Sequence, residues 1–110
     1  MKPLLTIDIA KQFSVLPAGR DPNDGPDSGE RFRREFLVPA FAEYDKVVVV
    51  LDGAEGYGSS FLDESFGGLI RVEGMTAAEL HRRLEVISNE DETFRDEVWD
   101  YIDSTLPKKS

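Results

Sequence analysis

KVVVVLDGAEGYGSSFLDESFGGLIR, residues Lys46 to Arg71, reads as a strand, a glycine-rich turn and a helix. Val47, Val48, Val49, Val50 and Leu51 form a short, mostly β-branched run, the pattern of a strand covered on both faces. Asp52 and Gly53 end it. Gly53, Gly56 and Gly58 permit a tight, close-approaching backbone, and Ser59 or Ser60 can accept bonds from the free amides of the helix that follows. Ser60 with Asp63 has the spacing of a capping pair, which leaves Ser59 the freer hydroxyl. Phe61, Leu62, Phe66, Leu69 and Ile70 recur at helical spacing. Gly67 and Gly68 interrupt that stripe at up to ~1 kcal/mol each, so a close approach of this helix to the sheet or to a partner is expected there.

Upstream, Leu5, Ile7 and Ile9 alternate with Thr6 and Asp8 as a first strand. Phe13 to Leu16 fits either an edge strand or a packed loop. Residues 17–27, PAGRDPNDGPD, are turn formers and predict a long polar loop. Asp27 with Glu30 resembles a capping box opening a helix that carries Phe32, Phe36 and Phe41, and Pro39 is expected to end or kink it. Downstream, Thr76 with Glu79 opens a short helix through Arg83, and Leu84, Val86 and Ile87 suggest a third strand. A last helix should run from about Asp91 to Ser104, capped by Ser88 or Asn89, with Phe94, Val98, Tyr101 and Ile102 inward and acids outward. A short flexible tail is expected at 105–110.

This order predicts an α/β fold: one domain over 1–110 with a small, mainly parallel sheet covered by helices through right-handed crossovers. Loops leaving the C-terminal ends of parallel strands share one edge, so the loops of Arg20 and Ser59 should meet.

With 110 residues and 40% hydrophobic content, the chain suits a single core. The absence of cysteine excludes disulfides, thiolate metal sites and a cysteine nucleophile, and one histidine excludes a histidine-rich metal site. No apolar leader follows Met1 and no run has membrane-spanning length, which predicts a soluble, cytoplasmic protein with no membrane partner. A net charge of -9 opposes nucleic-acid binding.

GAEGYGSS sits between strand and helix as phosphate-binding loops do, without a P-loop lysine or dinucleotide glycine spacing. Asp52, Glu55, Asp63 and Glu64 are near enough in sequence to consider magnesium or acid–base chemistry, though their spacing does not require it. His81 has no triad-like companions and reads as a surface residue; Trp99 reads as core or interface. No complete catalytic constellation, metal site or cofactor motif results, and the expectation is a protein that is not an enzyme.

GSSFLDESFGGLI, with the PAGR and SGERFR segments, closely resembles the STAS-like family of unknown function. More distantly, the valine strand running into Ser-Ser at a helix start resembles the STAS domains of anti-sigma factor antagonists and related partner-switching proteins. The resemblance implies a serine phosphorylated by a partner kinase, and Ser59 is the matching position; Gly58 stands where the antagonists usually carry Asp. It further implies a regulatory, protein-binding domain whose partner is a protein, such as a kinase-like ATPase. The surface expected to meet a partner or an anion comprises Arg20, Gly56, Tyr57, Gly58, Ser59 and Ser60, with Arg20 as the anion reader. The alternative is a small-ligand or nucleotide-binding module at the same glycine-rich loop, which requires a concave pocket.

Overall fold

The computed structural model describes residues 1–108; the last two positions of the expected 105–110 tail lie outside the described residues. The chain runs β1 (Lys2–Asp8), α1 (Ile9–Gln12), α2 (Gly29–Phe32), α3 (Val38–Glu43), β2 (Tyr44–Val50), α4 (Ser59–Leu62), α5 (Gly68–Arg71), α6 (Ala77–Arg83), β3 (Leu84–Ile87) and α7 (Glu92–Ser104). π-Helical turns at Arg33–Leu37 and Asp63–Gly67 join α2 to α3 and α4 to α5, making one continuous helix of each crossover. Residues 13–28 form neither helix nor strand, which settles Phe13 to Leu16 as a packed loop. Phe13 anchors that loop edge-on against Phe32 (5.2 Å) and Phe36 (5.5 Å).

The sheet is parallel throughout, in the order β1-β2-β3, with the valine strand at its centre. Leu5, Val47 and Leu84 lie side by side, as do Ile7, Val49 and Val86, and these rows face the helices. Phe32, Phe61, Phe66, Leu69, Leu80, Val98 and Ile102 close the core from the helical side.

The expected cover on both faces is not found. Leu4, Thr6, Lys46 and Glu85, on the opposite face, are all exposed. The cause is topological: each connection advances one strand in the same direction, and two right-handed crossovers taken in one direction place their helices on one side. Val48 is only 7% exposed because flanking strands and the neighbouring side chains on its own face enclose it, not a second helical layer.

Several helix boundaries also move. The second crossover helix is capped by Gly58, which has no side chain to offer, so neither Ser59 nor Ser60 is a cap. Ser28, not Asp27, caps α2 by accepting from the Arg31 amide, and Asp91, not Ser88 or Asn89, caps α7 by accepting from Thr93. Ser88 is buried and donates to the Asp91 carbonyl. Ile9 has left the strand and opens α1. Pro39 does not end its helix, which continues to Glu43; the π turn just before it, where the Val38 amide bonds back to Arg33, opens the register at a residue that cannot donate. Arg83 then stitches the two crossovers together by donating to the Phe41 and Tyr44 carbonyls (2.7 and 2.8 Å) at the end of α3.

One-sided packing gives a sharp test. Val49→Thr buries a hydroxyl in the core and should cost about 1–3 kcal/mol, whereas Val48→Thr, next to Thr6 on the open face, should cost less than about 0.5 kcal/mol. Urea denaturation of the two variants reads the difference directly, and equal losses would indicate a sheet covered on both sides.

Candidate functional site

At the C-terminal edge of the sheet, three segments converge: the 13–28 loop, the 51–58 loop and the first half of α7. The Glu55 amide donates to the Val15 carbonyl (2.8 Å), tying the first two loops together. The Gly53 amide donates to Glu90 (2.6 Å) and the Glu90 amide to Asp52 (2.8 Å), tying the second to the approach to α7. Gly53 has φ of 93°, so this turn uses a backbone conformation that favours glycine.

Arg20 does meet the helix that Ser59 begins. Its Nη1 donates to Asp63 (2.9 Å) and Glu64 (3.3 Å), while its own amide, not its guanidinium, is held by Asp24. Arg71 donates to the other oxygen of Asp63 (3.1 Å). Burial pushes the Asp63 carboxyl up, but hydrogen bonds from Arg20 and Arg71 outweigh it and hold the carboxyl below its usual range. The Asp63 bond in turn raises Arg20.

Beneath this pair lies Arg33, whose side chain is 3% exposed. It donates to the Glu64 carboxylate (2.7 Å), the Glu64 carbonyl (2.6 Å) and Glu73 (2.9 Å). Its guanidinium lies directly over Gly68, where a Cβ would collide with it. A Cβ on Gly67 would stand 2.6 Å from an Asp63 oxygen and 2.9 Å from Arg71. The close approach expected at the double glycine is thus made by arginines and a carboxylate, not by a sheet or partner backbone. Asp63 and Glu64 hold arginines, while Asp52 serves a backbone amide, so these carboxylates do not converge as an acid–base pair.

Ser59, the first residue of α4, and Ser60 are exposed, and the Ser59 hydroxyl lies beside Tyr101. Tyr101 donates to Glu97 at 2.8 Å; that carboxylate raises the phenol above its ordinary range and the Ser59 hydroxyl acts the other way. Gly56 is half-buried and Gly58 exposed on the same loop. Tyr57 is different: it is buried, packs on Phe61 (5.8 Å) and Phe94 (5.3 Å), and donates to the Leu51 carbonyl at 2.7 Å. Burial, with Asp8, Asp52 and Glu90 adding to it, pushes its phenol far above the ordinary range. Tyr57 therefore belongs to the core and is not presented to a partner. Those same carboxylates oppose an anion at the glycine-rich loop.

Val15 (49%) and Leu16 (58%) are exposed beside this edge, and sequence reasoning had not assigned them to it. His81 and Trp99 lie on another surface, stacked at 4.5 Å, with His81 bonded to Asp103 (2.7 Å).

A small parallel three-stranded sheet with helices is consistent with an α/β STAS-like fold. Residues 28–94, more than half of the chain, match the family model described as the STAS-like domain of unknown function (DUF4325), and the chain belongs to that family. The match begins at the Ser28 cap and ends at Phe94 in the first turn of α7, so the PAGR segment with Arg20 and most of the last helix fall outside it. None of the curated proteins and none of the solved structures matches the chain. No helix among the described residues is long and apolar enough to cross a membrane.

Two consequences can be measured. Gly68→Ala forces the Arg33 guanidinium off its partners and should lower stability by about 2–4 kcal/mol, visible as a fall in Tm. Asp63, with its folded pKa depressed, contributes stability that is fully present above its unfolded value near 4 and is lost as pH falls through the folded value. Asp63→Asn should therefore be less stable at neutral pH and show a shallower loss of stability below about pH 4 in acid titrations followed by circular dichroism.

Proposed function

We propose that this STAS-like domain is a non-catalytic, cytoplasmic interaction module that binds a protein partner through its C-terminal edge, and that phosphorylation of Ser59 by a partner kinase, such as a kinase-like ATPase, switches that binding. The observation that carries this reading is the Ser59 hydroxyl, exposed at the first turn of α4 and relieved of any capping duty by Gly58. A kinase can reach it without unfolding the helix end.

A phosphate there adds roughly 1.5 to 2 negative charges. Asp63 stands one helical turn on, and Glu97 lies behind Tyr101, so the phosphate meets repulsion from two sides. Arg20, the cation of the 13–28 loop, is 42% exposed along its side chain and already bonds Asp63. A phosphate competes with Asp63 for that guanidinium. Drawing Arg20 away alters the loop that carries Val15 and Leu16, the apolar part of the surface offered to a partner. The partner's own surface should be basic, because α7 presents Glu92, Asp96 and Asp100 outward.

The small-ligand alternative has weaker support. Three grooves of the described surface are lined by Pro22, Pro26 and Arg31, by Phe36, Pro39 and Tyr44, and by Val38, Leu69 and Met75, and none of these three includes the glycine-rich loop.

The test is site mapping of the protein isolated from its native cells, followed by binding measurements with the partner so recovered. Phosphate is expected on Ser59, with Ser59→Asp changing partner affinity at least about tenfold and Ser59→Ala and Ser60→Asp having little effect. Phosphate confined to other residues, or equal affinity of Ser59→Asp and wild type, rejects the switch.

A further inference from the structure

The face of the sheet turned away from the helices has the pattern of a self-complementary surface. We propose that two copies of this chain stack these open faces, with their strands antiparallel, to form a two-fold dimer.

The register fixes what each level of that face presents. Thr6, Val48 and Glu85 lie on one level, and Leu4 and Lys46 on the level below. Leu4, on β1 at the side of the face, is 51% exposed, while Val48 at its centre is already closed to 7% exposure. Lys46 and Glu85 are both exposed, and the ion pairs nearby, Lys2 with Glu43 and Arg83 with Glu79, include neither. Two levels on one strand are separated by about 6.5 Å and adjacent strands by about 4.8 Å. Charges of opposite sign thus stand a level apart on neighbouring strands, each without a counter-ion among the described residues.

A two-fold axis that crosses the strands between these two levels exchanges them. It brings Lys46 to the level of the partner copy's glutamate on β3, one strand spacing to the side, and does so twice. Facing sheets lie about 10 Å apart, a gap that a lysine stem and a glutamate span together. The same operation sets Leu4, the exposed apolar side chain of this face, over the threonine of the partner copy's β1. An axis running along the central strand is disfavoured by charge, because it would set lysine over lysine. An isologous interface needs both signs on one patch in this arrangement, and a partner of one charge would leave either Lys46 or Glu85 opposed. Covering this face also gives a parallel sheet the second layer that such sheets ordinarily possess.

Analytical ultracentrifugation across a concentration series tests the dimer, using the full chain. Wild type is expected to dimerise reversibly. Lys46→Glu and Glu85→Lys, both exposed positions, should each weaken dimerisation about tenfold or more with unchanged circular dichroism. An equimolar mixture of those two variants should regain it, because each supplies the charges that the other opposes, and the double variant Lys46→Glu/Glu85→Lys should regain it alone. A wild type that stays monomeric throughout overturns the proposal, including the case in which another protein covers the face. Single variants that dimerise as wild type does, or a mixture that shows no recovery, overturn it equally.

Discussion

The structure depends on one buried cation. The Arg33 guanidinium sits between the two crossover helices, where desolvation costs several kcal/mol unless every neighbour helps to offset it. Glu64 supplies a carboxylate and a carbonyl, and Glu73 a second carboxylate. Gly68 supplies the space. Arg33 and Glu64 both lie in π turns, each of which delays the helical register by one residue and so turns a charged side chain inward at a place where the apolar stripe would otherwise continue. The two irregular turns face one another, and the ion pair joins them.

The same pair links the core to the edge. Asp63 precedes Glu64 in the chain, so the carboxylate that holds Arg20 and Arg71 is fixed by the residue that holds Arg33. The 13–28 loop forms no strand; it is held by the Arg20 side chain, by the Val15 carbonyl, by Phe13 below, by the Ala18 amide donating to the Asp27 carbonyl, and by the Gly29 and Glu30 amides donating to the Gly19 and Arg20 carbonyls. Within this network Arg20 is the most exposed member and Arg33 the buried one.

The strands and most helices were legible in the sequence because period and turn chemistry announce them: the alternation of Leu5 and Ile7, the valine run, and the Thr76 cap with Glu79. What was not legible belongs to tertiary structure. A valine run signals burial without saying what does the burying, and Val48 is enclosed by strands where helices were expected. Strand order decides whether crossovers fall on one side or two, and local sequence does not carry strand order. The π turns contain ordinary helix formers. Arg33 reads as a surface residue until the double glycine finds the group that fits over it; that pair was the one signal pointing to a close approach, and only the fold shows what approaches. Tyr57 was drawn into the site by its position between glycines, although a phenol that can reach its own strand's last carbonyl has a simpler use in the core.

The charge balance explains why an acidic chain can be rich in arginine and still present carboxylates to solvent. Arg20, Arg31, Arg33, Arg71 and Arg83 are all engaged within the fold, in ion pairs or on carbonyls. Positive charge is thereby withdrawn from the surface and used to hold helices and loops together. The carboxylates left over, along α7 and around the 51–58 loop, carry the net charge of -9 outward. A field of that sign repels phosphate groups arriving as free ligands and attracts a basic protein surface. A covalent phosphate on Ser59 is not subject to that exclusion, because the kinase and not the field determines where it sits. The acidity that disfavours nucleotide binding at this edge is therefore compatible with the proposed control of the edge by phosphorylation, since a covalent phosphate adds negative charge to a surface whose free arginines are few.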